Sequence, residues 1–232
     1  MIIAVVGAGG KTTLSNHIGK NLAGMGRRVL FTTTTKILTP TDSPLYLGPA
    51  ENIRALGFFM TGAKEALSNG KLKGYTLEDI NAILKLNLFD DIIVEADGAA
   101  RKPVKAPNEN EPIYPASVHL ILGVIGADCL GQPVSGDIVH RMELFCRITG
   151  AHNGESISAR HITQLISDPD GLFRHAPANI PRVVFLNKFD TLDNRTREQA
   201  MEIVRQSPCP VLMTAWDTDW FGDFYSRFIA GH

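Results

Sequence analysis

The first thirteen residues constrain the fold of this chain more than any other stretch. Ile2-Ile3-Ala4-Val5-Val6 is an uninterrupted apolar run rich in β-branched residues, the pattern of a strand buried on both faces. It leads directly into Gly7-Ala8-Gly9-Gly10-Lys11-Thr12-Thr13, after which Leu14, Ile18 and Leu22 recur at helical spacing. Strand, glycine-rich turn, Lys-Thr and helix are the parts of a phosphate-binding loop. Glycines let successive backbone N–H groups curl around an anion, and the helix N-terminus adds partial positive charge. In that arrangement a solvent-facing Lys11 reaches the outer phosphates and the Thr12 hydroxyl ligates Mg²⁺. Gly7 to Thr13 are therefore the first candidate nucleotide contacts; the alternative is a plain glycine turn with a solvated lysine.

The loop is not the common G-x-x-x-x-G-K-[ST] form, which would place glycine where Val5 stands. The shorter G-x-x-G-K-T spacing resembles the loop of the Mur-ligase and folylpolyglutamate-synthase group.

Length admits one large α/β domain or two small ones, and a single domain over residues 1–232 is the expectation. With 44% apolar and 20% charged residues and a net charge of −1, nothing points to nucleic acid or to a membrane surface. Apolar runs fall short of a bilayer span, and the chain opens on a core strand with no basic leader, so a cytoplasmic location is expected. Cys129, Cys146 and Cys209 are scattered without C-x-x-C spacing and read as reduced thiols.

Along the chain, Gly24-Met25-Gly26 is suited to end the first helix, and Arg28 to Phe31 reads as a second strand. The strand runs into Thr32-Thr33-Thr34-Thr35-Lys36. Threonine favours strands, but in open α/β sheets ligands sit outside the carboxyl ends of the strands, so Thr33 to Lys36, Thr35 among them, are also candidate phosphate or Mg²⁺-water contacts. Residues 38–75 read as an insertion of small strands, Leu45-Tyr46-Leu47 and Phe58 to Thr61, with no chemistry-bearing motif. Thr76 caps the next helix, with Asp79 completing a box-like spacing.

Asp91 to Val94 is another buried strand, delivering Glu95 and Asp97 and then Gly98 at its carboxyl end. In nucleotide hydrolases of this layout an acid there holds the Mg²⁺ water shell or orients the attacking water. Lys11, Glu95 and Asp97 are thus the candidate catalytic residues, Thr12 and Glu95 the candidate metal ligands, and Gly98 a candidate nucleotide contact. The loop that follows carries Arg101, Lys102 and Lys105 among four prolines; these cations either hold an anionic second substrate or the γ-phosphate, or form a solvated charge run.

Arg182 to Leu186 forms a late strand ending in Asn187-Lys188-Phe189-Asp190, an N-K-x-D element. An aspartate can accept both N–H groups from guanine N1 and N2, an asparagine amide can reach N7, and a lysine stem can lie against the base. Asn187, Lys188 and Asp190 are thus candidate guanine contacts, although an Asn and an Asp can also tie down a loop. Thr214-Ala215 ends the last strand, where guanine-nucleotide proteins often place Ser-Ala.

Taken together, these residues resemble the YqeC-type proteins, accessory proteins of selenium-dependent molybdenum hydroxylases. The resemblance covers the Val6 to Thr13 loop, the Thr32 to Lys36 run, Val94 to Lys105 with Pro107-Asn108-Glu109, and Val139-His140-Arg141; Val-Glu-Ala-Asp-Gly-Ala-Ala-Arg-Lys-Pro is its most specific string. It implies a cytoplasmic nucleotide-binding protein that assists maturation of a molybdenum hydroxylase, with that enzyme or its cofactor as partner. A looser similarity, in the order of phosphate loop, Glu-x-x-Gly and N-K-x-D, is to the GTPases that assist nickel insertion, from which this chain departs in lacking His or Cys clusters. The expected architecture is an α/β, doubly wound, mostly parallel sheet of P-loop NTPase type. The expected function is Mg²⁺-dependent binding and slow hydrolysis of GTP (or ATP). A small-molecule phosphotransferase or a non-hydrolysing nucleotide-binding module are the alternatives.

Overall fold

A computed structural model describes residues 1–215 and 219–231. The chain divides into two compact units, one of Met1–Val5, Thr12–Gly98 and Ile113–Leu120, the other of Val6–Lys11, Ala99–Pro112 and Ile121–His232.

The first unit is built from β1 (Ile2–Gly7, as far as Val5), α1 (Lys11–Gly24, from Thr12), β2 (Val29–Thr33), β3 (Lys36–Leu38), β4 (Leu45–Leu47), β5 (Phe59–Ala63), β6 (Glu65–Ala66), β7 (Lys71–Lys73), α2 (Leu77–Lys85) and β8 (Asp91–Glu95). Its parallel strands lie in the order β1-β8-β2-β5-β4. Strands β1, β8, β2 and β5 are buried along their whole lengths, as continuous apolar runs in a parallel sheet require. Register sets Val5 opposite Glu95 and Glu95 opposite Thr33, so three carboxyl ends finish level. Helix α1 stops where Gly26 takes φ +83°, with the Gly26 and Arg27 N–H groups closing back on Ala23 and Leu22 carbonyls. Helix α2 opens on a reciprocal box in which the Asp79 N–H donates to Thr76 and the Thr76 N–H to the Asp79 carboxylate.

Within residues 38–75 the structure refines the expectation. Strands β5 and β4 align parallel beside β2 and extend its order; β3, β7 and β6 make a separate antiparallel sheet. The buried side chains of β5 explain the difference: Phe59, Met60 and Thr61 have no solvated face to leave at an edge.

The second unit contains β9 (Val104–Lys105), β10 (Leu120–Gly126, from Ile121), β11 (Val139–His140), α3 (Met142–Thr149), α4 (Ala159–Ser167), β12 (Arg182–Asn187), α5 (Asn194–Gln206), β13 (Val211–Thr214) and α6 (Trp220–Phe228). Strands β10, β12 and β13 are parallel, with Gly126 opposite Asn187 and Asn187 opposite Thr214 at their carboxyl ends. Phe185 on β12 anchors α6 through edge-on contacts with Trp220 and Phe224, centroids 5.3 Å away in each case. The α/β class and the mostly parallel strand arrangement are as the sequence predicts.

Candidate functional site

In the second unit the glycine loop is held by backbone contacts that leave no room for side chains. Gly7, Gly9 and Gly10 take φ of +92°, +83° and +120°. A Cβ on Gly7 would lie 2.2 Å from the Val124 carbonyl oxygen, and one on Gly9 would lie 2.1 Å from the Gly126 nitrogen. The sequence assigns the whole run Gly7 to Thr13 to an amide cradle, but the structure narrows it. The Ala8 N–H donates to the Val124 carbonyl at 2.8 Å and the Gly9 N–H to the Lys102 carbonyl at 3.0 Å, so both are spent on holding the loop. Gly10 stands directly before α1, and a helix leaves its leading N–H groups without intrahelical partners.

Lys11 also departs from expectation. It is 5% exposed, not solvent-facing, and its Nζ donates to the Gly7 carbonyl at 2.8 Å. A lysine folded over its own loop keeps its charge beside the glycine turn. The donor set fits a polyphosphate: a lysine ammonium, glycine backbone that a Cβ would obstruct, and a helix N-terminus.

The N-K-x-D residues reach this loop inside the same unit. Asn187 Nδ2 donates to the Gly9 carbonyl at 2.9 Å, and Thr214 Oγ1 donates to Asn187 Oδ1 at 3.1 Å. A Cβ on Gly10 would fall 2.2 Å from Asn187 Nδ2. Lys188 takes the left-handed conformation, φ +63°, and pairs through Nζ with Asp128 Oδ2 at 2.7 Å. Asp190 is exposed in the short helical turn that follows. The sequence reading missed Asp128; its one signal was position, just past the carboxyl end of β10.

In the first unit Thr12 and Glu95 meet: Thr12 Oγ1 donates to Glu95 Oε1 at 2.5 Å. Glu95 is 5% exposed and Asp97 1%. The threonine run packs on the same strand end. Thr33 Oγ1 donates to the Glu95 carbonyl at 2.8 Å, the Thr34 N–H donates to it at 3.0 Å, and the Thr35 hydroxyl lies 3.2 Å from that of Thr33. Thr32 and Thr33 therefore belong to the strand, and Thr34 and Thr35 to the bend beyond it. A carboxylate beside a threonine hydroxyl is a hard oxygen pair of the kind Mg²⁺ takes. Thr13 is exposed and Gly98 half-buried.

The basic loop of the second unit is not a uniformly solvated charge run. Arg101 is exposed and Lys102 half-buried, while Lys105 is 1% exposed in β9, which pairs with β11. Lys105 Nζ lies 3.0 Å and Arg141 Nη1 2.8 Å from one oxygen, Glu111 Oε2. Burial raises the Glu111 carboxyl, but the Arg141 hydrogen bond and the Lys105 charge hold it below its usual range. Burial pushes His140 below the usual histidine range, and Arg141, Lys105 and Lys102 push it the same way against Glu111. Among the described residues, no three His, Cys, Asp or Glu side chains are grouped as a metal cluster, and no helix is long and apolar enough to cross a membrane.

These features define an α/β protein whose strand arrangement is consistent with a P-loop NTPase layout, with a glycine turn entering its first helix. The sequence model of the YqeC protein family matches residues 3–143. The protein named "Uncharacterized protein YqeC" from Escherichia coli (strain K12) is 34% identical over 230 residues, covering 96% of this chain and 87% of that protein. The chain belongs to the YqeC family. No solved structure is a significant match.

Proposed function

We propose that this protein binds a nucleoside triphosphate with Mg²⁺, GTP in preference to ATP, and hydrolyses it slowly to time a step in the maturation of a selenium-dependent molybdenum hydroxylase. The observation that carries the nucleotide reading is the contact between two motifs far apart in sequence. Asn187 of N-K-x-D donates to the carbonyl of Gly9 in the glycine loop, inside one compact unit. Gly10, Lys11 and the first turn of α1 take the phosphates, and Asp190 takes the guanine N1 and N2 donors. Thr12 and Glu95, hydrogen-bonded to one another, would hold Mg²⁺, which when bound supplies charge neutralisation for the transferred phosphoryl group. Asp97 orients the attacking water in this reading. The client rests on the family resemblance alone.

Calorimetric titration with GTP and ATP, each with Mg²⁺, tests the reading. GTP should bind more tightly than ATP, and Lys11→Ala should lose triphosphate binding. Circular dichroism must accompany that variant, because Lys11 is buried. A folded Lys11→Ala protein that binds nucleotide as tightly as wild type would defeat the assignment.

A further inference from the structure

In the first unit the small antiparallel sheet buries one face and leaves the other open. Register places Lys36 opposite Lys73, Leu38 opposite Lys71 and Glu65 opposite Lys73, so these five side chains share one face. All five are exposed, Leu38 at 48%, while Ile37 and Leu72 are buried on the other face. Lys73 Nζ pairs with Glu65 Oε1 at 2.8 Å. Among the described residues, the Lys36 and Lys71 side chains make no hydrogen bond or ion pair. Like charges directly opposite, as Lys36 and Lys73 are, destabilise a ladder. Lysine on an edge strand guards against unwanted strand pairing, and β3 is such an edge. Strand β7 lies at the centre of the sheet, where Lys71 and Lys73 have no edge to guard.

We infer that this face is a docking surface for an acidic segment of a partner protein, with Lys36 and Lys71 receiving carboxylates and Leu38 an apolar side chain set among them. Glu65 offsets Lys73, which leaves two positive charges beside the exposed leucine. Lys36 stands two residues from Leu38 on the same strand, and Lys71 stands directly across from it. A nucleic-acid backbone would match the charge but set Leu38 against it, and none of the five side chains is an aromatic ring on which a base could stack. A second copy docking about a two-fold axis would bring lysines against lysines. Carboxylates around an apolar side chain satisfy both features of the face, its charge and its leucine. The face is also clamped to the threonine bend. The Gly74 N–H donates to the Thr35 carbonyl and the Tyr75 N–H to the Thr33 carbonyl, both at 3.0 Å, and a Cβ on Gly74 would lie 1.8 Å from the Thr33 carbonyl oxygen. Docking there therefore loads backbone that packs on the Glu95 carbonyl. The surface stands on its own residues and does not depend on the nucleotide reading.

The test is fluorescence anisotropy of a labelled oligoglutamate peptide with a central leucine, titrated with the full-length protein at low salt and without nucleotide. The peptide should bind wild type, and the double variant Lys36→Gln/Lys71→Gln should weaken it by about tenfold, the loss of two exposed ion pairs. Arg54→Gln/Lys85→Gln removes the same charge from exposed positions elsewhere in the unit and should leave the affinity unchanged. Leu38→Ser should weaken the leucine-bearing peptide but not plain oligoglutamate. All five positions are exposed, so the substitutions leave the core intact. Equal losses in the two double variants would reduce the effect to net charge and overturn the proposal. No binding to wild type, or indifference to Lys36→Gln/Lys71→Gln or to Leu38→Ser, would overturn it too. Tighter binding of an oligothymidylate or of phosphatidylserine vesicles than of the peptide would give the face to a nucleic acid or a membrane instead. A protein that binds neither GTP nor ATP yet holds the peptide through Lys36, Lys71 and Leu38 supports this surface and defeats only the nucleotide reading.

Discussion

Thr12 donates its hydroxyl proton to Glu95 at 2.5 Å, joining the second residue of α1 to the last residue of β8 across 83 positions of sequence. The contact follows from register: β1 and β8 run parallel with Val5 opposite Glu95, so the helix that follows β1 starts at the level where β8 ends. At that level the threonine hydroxyl and the carboxylate hydrogen-bond one another, and in the proposed reading these two oxygens hold Mg²⁺.

Glu95→Gln should therefore reduce hydrolysis more than nucleotide affinity. The amide keeps the shape and can still meet Thr12, but it removes the charge that matters most when phosphoryl charge develops in the transition state. Turnover and affinity measured on the same preparation decide it. Parallel losses in both would make Glu95 an ordinary structural carboxylate.

Gly10→Ala should disturb the loop for a reason that a second substitution isolates. At φ +120° any Cβ is strained, by about 1–3 kcal/mol, and this one would also sit 2.2 Å from Asn187 Nδ2. Thermal unfolding of Gly10→Ala, Asn187→Ala and the double variant forms a cycle. The double variant should be more stable than the sum of the two single losses predicts, because removing Asn187 removes the clash and leaves only the backbone strain. Strict additivity would show that the two residues do not touch in solution.

How much of this was legible beforehand depends on the range of the interaction. Ile2 to Val6, Asp91 to Val94 and Arg182 to Leu186 announce themselves because a buried parallel strand must be apolar on both faces, a local property. The Thr76–Asp79 box is legible for the same reason, since both partners lie within one turn. Asp128 and Glu111 were not legible as partners. Asp128 meets Lys188 across 60 positions, and Glu111 meets Arg141 across 30, with no periodicity to link them. For Lys105 the sequence leaves an anion-holding role and a solvated charge run both open, because nothing in the Pro-rich loop itself betrays the β9–β11 pairing that buries it. Likewise, the glycines of the loop were recognisable, but not that the Ala8 and Gly9 amides are consumed by Val124 and Lys102 carbonyls.

His161 gives the fold a dependence on pH. It closes the α4 capping box with Ser158 and is held below the usual histidine range by burial, with Arg160 acting the same way and Glu155 opposing. The unfolded chain then binds a proton that the folded chain resists, so stability is fully present above the unfolded histidine value and falls as pH drops below it towards the folded value. Denaturant midpoints should decline from about pH 7 to pH 5. His161→Gln should flatten that slope while lowering the midpoint at neutral pH. An unchanged slope would assign the decline to other groups, His140 first among them, since burial depresses it too.

Asp190→Asn tests the base. Asp190 is exposed in the turn after β12, two residues beyond Lys188, with Asn187 fixed between Gly9 and Thr214. Asn187 is held at Nδ2 by the Gly9 carbonyl and at Oδ1 by Thr214 of β13; guanine and adenine present the same N7 acceptor to it, so discrimination between bases falls on Asp190. A carboxylate there accepts from guanine N1 and N2; adenine offers no such donor pair. An asparagine presents a donor where an acceptor is required, and the loss of one charge-assisted pair should weaken GTP by about 2–4 kcal/mol. Xanthine carries a carbonyl at C2 that can accept the new amide N–H, so preference should move from GTP towards XTP while affinity for the triphosphate moiety, measured with ATP, stays unchanged. Competition titrations of the three nucleotides against wild type and variant give the answer directly. If ATP and GTP bind wild type equally, Asp190 holds its loop and reads no base, and the N-K-x-D element serves this chain by pinning Gly9 through Asn187.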